Sequence, residues 1–227
     1  MTRLVLLHGS VTNAALTWRK QQALAADYEL VTPDRPGFPP GPPVARVDFE
    51  AEVPWLASLV RPGDHLVGQS YGGVVALLAA RQLSLASLTV IEPPAFGVAR
   101  GDPAVEAWLD GARALPRDDD LRTYVQAFLE HVGAPLRLQD PLPPVLEQGA
   151  RAFVTERWPS EAVLPLAPLP YPVLVVTGDH EPAFEVVGDV LERELQAERL
   201  VLRGAGHAVQ NARRFNDRLL EFLRRAP

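Results

Sequence analysis

The chain has 227 residues, a formal net charge of −6 and an apolar fraction of 47%. That length suffices for one α/β domain with a sizeable core, and the acidic balance argues against nucleic acid or an anionic membrane surface as the main partner. Cysteine is absent, which excludes disulfides, thiolate metal sites and cysteine nucleophiles; with no bilayer-length apolar run and no signal-peptide core, a cytoplasmic location is the expectation.

In chain order, the first apolar run, 4–7, reads as a strand and leads into His8-Gly9-Ser10. A helical pattern over 15–26 and a strand-like run over 28–31 follow. Asp34-Arg35-Pro36-Gly37-Phe38 then opens a stiff proline-rich loop. The next helical pattern, 49–60, contains Pro54, which marks a late start or a kink. The run 65–67 ends in Gly68-Gln69-Ser70-Tyr71-Gly72-Gly73 and opens a helical stretch to 83. The fourth run, 88–91, ends at Glu92.

Between 96 and 168 the alternation of strand and helix stops. Three amphipathic patches lie there, near 103–115, 118–132 and 143–157, separated by prolines. Asp118-Asp119-Asp120 heads the second and reads as a helix start. The chain returns through five prolines to a fifth run, 173–176, and to Thr177-Gly178-Asp179-His180-Glu181-Pro182. A helix over 183–196, a sixth run over 199–202, the loop Gly204-Ala205-Gly206-His207 and a helix over 208–225 complete it. Apolar runs separated by helical patterns indicate a parallel sheet buried on both faces. The expected organisation is an α/β core of 1–95 and 169–227 with a small helical cap, 96–168, inserted into it.

A serine with glycine at both second neighbours, between strand and helix, is a nucleophile elbow. Its hydroxyl needs a base, an orienting acid and oxyanion donors. His207 is the candidate base, since its small-residue loop falls at the carboxyl edge of the sheet, where ligands bind in open α/β folds. The other histidines lie at strand ends, in the insertion or in a turn. Asp179 and Glu181 both follow a strand and either can orient the imidazole; Glu92 is a third, more distant candidate. The oxyanion amides fall to Tyr71, after the nucleophile, and to Ser10, whose hydroxyl offers a third donor.

Together, Leu6-Leu7-His8-Gly9, Asp34 to Phe38, the elbow, Gly178 to Pro182 and Gly204 to His207 resemble the α/β-hydrolase family over nearly the whole chain. The resemblance implies a three-layer α/β/α fold and the order nucleophile, acid, histidine. It also implies no metal or organic cofactor and a small-molecule acyl substrate. It favours Glu181 over Asp179 as the acid. The family's usual two leading strands are missing, so about six strands are expected. The function expected is a serine hydrolase that cleaves a carboxylic ester or related acyl compound through an acyl-enzyme. Same-fold lyases, carbon–carbon bond hydrolases and cofactor-free peroxidase-like enzymes share these residues, and a non-catalytic binder of the same fold is a further alternative. A dinucleotide site is a poor fit, because the loop after the first strand lacks the glycine spacing. Phe96, Trp108, Leu109, Tyr124, Phe128, Phe153 and Trp158 either line an acyl pocket or pack the cap onto the core.

Overall fold

All six apolar runs become strands of one parallel sheet in the computed structural model, which describes residues 1–117 and 120–226. They are β1 (Arg3–Leu7), β2 (Glu29–Val31), β3 (His65–Gln69), β4 (Ser87–Ile91), β5 (Val173–Thr177) and β6 (Glu198–Val201), in the order β2-β1-β3-β4-β5-β6. The helices in chain order are α1 (Ala14–Thr17), α2 (Phe49–Leu59), α3 (Tyr71–Ala79), α4 (Pro103–Arg113), α5 (Leu121–His131), α6 (Pro144–Phe153), α7 (Pro182–Leu195) and α8 (Phe215–Leu223).

The layering follows from side-chain alternation along each strand. Val5 and Leu7 of β1 join Leu66, Leu88, Val90, Val173 and Val175 in one apolar cluster. Residues of α2, α3, α4 and α7 belong to the same cluster. Leu4 and Leu6 point the other way, with Val67, Ile91, Leu174 and Val176, and meet Trp18, Phe215, Leu219 and Phe222. The sheet is thus covered on both faces, giving three layers. No helix among the described residues is long and apolar enough to cross a membrane.

Several local readings change. The 15–26 pattern divides into α1 and a 3₁₀ segment at Lys20–Ala26, and the 208–225 pattern into a 3₁₀ turn at Val209–Asn211 and α8. Helix α2 begins ahead of Pro54, at Phe49, because the Asp48 carboxylate accepts from the Glu50 amide and caps it. Asp118 and Asp119 lie outside the described residues; Asp120 caps α5 through the amides of Arg122 and Thr123. Helices α4, α5 and α6 all lie between β4 and β5 in the chain.

The strand register brings the chemistry to one edge. Gln69 of β3 pairs with Ile91 of β4, and Ile91 pairs with Val176 of β5. Ser70, Glu92 and the loop after β5 therefore emerge side by side at the carboxyl ends of three adjacent strands.

Candidate active site

Ser70 sits between β3 and α3 at φ 52°, ψ −123°, a conformation that non-glycine residues rarely adopt and that surrounding structure must hold in place. Its amide donates to the Ile91 carbonyl at 2.8 Å, which fixes the turn to β4. The glycines make the turn possible by close approach. A Cβ on Gly68 would lie 2.6 Å from the Gly72 carbonyl oxygen, and one on Gly72 would lie 2.4 Å from the His8 oxygen. The amino end of α3 points at the serine, where its free amides favour negative charge.

His207, from the loop after β6, is buried beside it. Its Nε2 lies 3.0 Å from Ser70 Oγ, and its Nδ1 lies 3.3 Å from Glu92 Oε2. In this chain Ser70 donates to Nε2 while Nδ1–H donates to the carboxylate. Glu92 is fully buried, and its other oxygen accepts from the Gly178 amide at 2.6 Å. Its own amide donates to the Val176 carbonyl at 2.9 Å, and its φ is 47°. Two neighbouring strands thus aim this side chain at the histidine.

The structure does not bring either acid expected from the loop after β5 to His207. Glu181 instead accepts from the Ala183 amide and caps α7, with Pro182 in the first turn. Asp179 turns outward to Arg203, 3.8 Å away. The carboxylate that reaches His207 is Glu92, the candidate ranked third from the sequence. The loop after β5 still contributes, through the Gly178 amide.

The amides of Ser10 and Tyr71 lie in the loop after β1 and at the first position of α3, and neither donates to a backbone carbonyl among the described residues. The Ser10 hydroxyl is a different matter. It donates to Glu156 Oε2 at 2.5 Å, so its proton is committed and the expected third oxyanion bond is not free to form. Glu156 escaped the sequence reading altogether. It also meets Arg35, a fully buried guanidinium that grips both oxygens of Glu52 at 2.8 and 2.9 Å and the Gly9 carbonyl at 3.0 Å. Burial pushes the Glu156 carboxyl up to about 7, opposed by Arg35 and by the Ser10 hydroxyl. Burial alone would lower Arg35, but the Glu52 and Glu156 carboxylates hold it above its ordinary value. His8 serves this network as a neutral ring: burial, then Arg35, bring it down to about 3, and its Nε2 accepts from the Arg35 amide.

Two cavities meet at Ser70. One, of about 240 Å³, is lined by Phe96, Trp108, Tyr124, Phe128, Phe153 and Trp158, with Ser10 and Glu156 in its wall. Leu109 packs in the core instead. The other, of about 430 Å³, contains His207 and is walled by Gln69, Leu129, Leu136 and Gln210.

A parallel sheet in this order, with a strained serine after β3 hydrogen-bonded to a histidine after β6, defines a protein of the α/β-hydrolase type. The chain belongs to the alpha/beta hydrolase family, whose pattern matches residues 4–218. It is similar to a pimeloyl-[acyl-carrier protein] methyl ester esterase of Aeromonas salmonicida, 42% identical over 100 residues. That match covers 41% of this chain and 39% of the relative's length. Among solved structures it resembles a thermophilic esterase from Thermogutta terrifontis (TM-score 0.73, 21% identity, covering 100% of this chain and 90% of the other). It also resembles a pyrethroid hydrolase from Sphingobium faniae (TM-score 0.72, 20% identity, 99% and 98% covered). At these identities the structural likenesses speak to the fold.

Proposed function

We propose that the protein hydrolyses a carboxylic ester through Ser70, His207 and Glu92. The observation that carries this is the continuous hydrogen-bonded chain from Ser70 Oγ through His207 to Glu92, open to a cavity on each side. Ser70 Oγ attacks the ester carbonyl carbon while its proton passes to His207 Nε2. The carbonyl oxygen becomes an oxyanion, received by the Ser10 and Tyr71 amides, each such donor contributing about 3 kcal/mol. Glu92 stabilises the imidazolium without taking its proton. The oxyanion then collapses, the carbon–oxygen bond to the alcohol breaks, and His207 gives its proton to the departing alkoxide. Water repeats the sequence on the acyl-enzyme, releasing the acid and restoring Ser70.

The leaving alcohol must depart on the side from which His207 can protonate it, which assigns it to the cavity containing that residue. The aromatic cavity then takes the acyl group. In this reading residues 96–168 act as a cap, since α4, α5 and α6 supply most of its aromatic wall. The partial match to a methyl ester esterase supports an ester of a small alcohol.

Fluorophosphonate labelling, with the modified peptide located by mass spectrometry, tests this. Labelling at Ser70, lost in His207→Ala, is the expected result. A folded protein that does not label at Ser70 would sink the proposal.

A further inference from the structure

Glu92 is faced by two imidazoles. His207 Nδ1 lies 3.3 Å from Oε2, and His180 Nδ1 lies 3.7 Å from the same oxygen. Oε1 is occupied by the Gly178 amide, so Oε2 is the atom both rings address. His180 Nε2 lies 3.1 Å from the Val132 carbonyl. A carbonyl only accepts, so the proton of a neutral His180 sits on Nε2 and the Nδ1 lone pair points at Glu92. That nitrogen is buried and has no hydrogen-bond partner, and 3.7 Å is too long to count as one. The ring is held in place by Phe184, stacked at 5.7 Å between centroids. A lone pair buried against a carboxylate oxygen is repelled by it, and a positive centre between the two, a proton or a metal ion, removes that repulsion.

A divalent metal ion fits that description. Ligand atoms of Glu92, His180 and His207 all lie within 4.8 Å of one another. Around Zn²⁺, with bonds of about 2.0–2.2 Å in tetrahedral geometry, ligand atoms stand roughly 3.3–3.5 Å apart. The two distances to Oε2 are already close to that range. Two imidazoles and one carboxylate suit zinc. The Val132 carbonyl on the far nitrogen of His180 is the contact that fixes the tautomer of a metal-binding histidine. We propose that Glu92 Oε2, His180 Nδ1 and His207 Nδ1 form an inhibitory Zn²⁺ site directly behind the serine–histidine pair. His180, with 14% of its side chain exposed, is the most accessible of the three and marks the entry side.

The consequence for turnover follows from the tautomer. Zinc on His207 Nδ1 takes that lone pair and leaves the ring proton on Nε2. Nε2 then donates to Ser70 Oγ and cannot accept the serine proton. Inhibition is therefore a loss of the base, reversible when the ion leaves. This effect on turnover rests on the hydrolase reading above; the binding of the ion does not.

The test is calorimetric titration of untagged, metal-free protein with ZnCl₂, run beside fluorophosphonate labelling with and without the ion. A single Zn²⁺ per chain is expected. Labelling at Ser70 should slow at least about tenfold when zinc is bound, and EDTA should restore it. His180→Gln should weaken zinc binding about 100-fold and uncouple labelling from zinc. No binding up to about 100 μM, or equal binding by His180→Gln, would overturn the proposal. Should that variant not fold, Co²⁺ added to the wild type decides. Intense visible bands of tetrahedral cobalt support the site, and the weak spectrum of octahedral cobalt overturns it. If metal-free wild type fails to label at all, the hydrolase reading falls while the calorimetry still reports on the metal.

Discussion

Glu92 and His207 stand 115 residues apart in sequence, yet their side chains lie 3.3 Å apart at the carboxyl edge of the sheet. The contact exists because β4 runs between β3, which leads into Ser70, and β5, which leads into Gly178, so a carboxylate just past its tip is central to the site.

Glu92→Gln should therefore lower kcat by about 10⁴, the cost of presenting the wrong histidine tautomer to the serine. Glu181→Gln and Asp179→Asn should leave kcat within a few-fold, because one caps a helix and the other faces Arg203. Steady-state kinetics on any ester turned over by the wild type decides it. A severe loss in Glu181→Gln with a mild one in Glu92→Gln would return the acid to the loop after β5.

Ser70→Ala and His207→Ala should each lower kcat by roughly a million-fold, and the double variant should be no worse than either alone. Such non-additivity is the signature of residues acting as one unit. Additive losses would mean that the two side chains act in separate steps.

Glu156 should leave its mark on stability. Its carboxyl rises from 4.5 to about 7 on folding, so between those values the folded protein keeps a proton the unfolded chain has lost. The stabilising contribution is full below 4.5 and disappears as pH rises through 7, a change of about 3 kcal/mol. Urea unfolding of wild type and Glu156→Gln across this range isolates the term. The wild type should lose stability relative to the variant as pH rises, and a flat difference would refute the assignment.

Arg35→Met should cost about 3–5 kcal/mol, because Glu52 and Glu156 are left buried without their shared cation. Adding Glu52→Gln should return about 1–2 kcal/mol by removing one orphaned charge. Chemical denaturation of the two proteins measures both steps. A double variant less stable than Arg35→Met would show that the cation is not the source of the loss.

The sheet was legible from the sequence because its four central strands are buried on both faces and read as apolar runs such as Leu4 to Leu7. That Ser70 and His207 meet at one edge of the sheet was legible too. Close backbone approach forces glycine around the first, and a small-residue loop carries the second. Glu92 was visible at the end of a strand but was placed only third, since its value depends on which strands flank β4, and strand order is a property of the assembled sheet. Glu181 did carry a local sign of its real task, because a proline immediately after it marks a capped helix start. Arg35 and Glu156 meet across 121 residues, and no local pattern announces such a pair.

Phe128 lines both cavities that meet at Ser70, and so does Val132. The partition between them is thus one end of α5 and the residue that follows it, rather than two independent walls. Reshaping one cavity at Phe128 therefore alters the other as well. Under the proposed ester hydrolysis, acyl and alcohol selectivity would be coupled traits, and variants chosen for one would shift the other without having been selected for it.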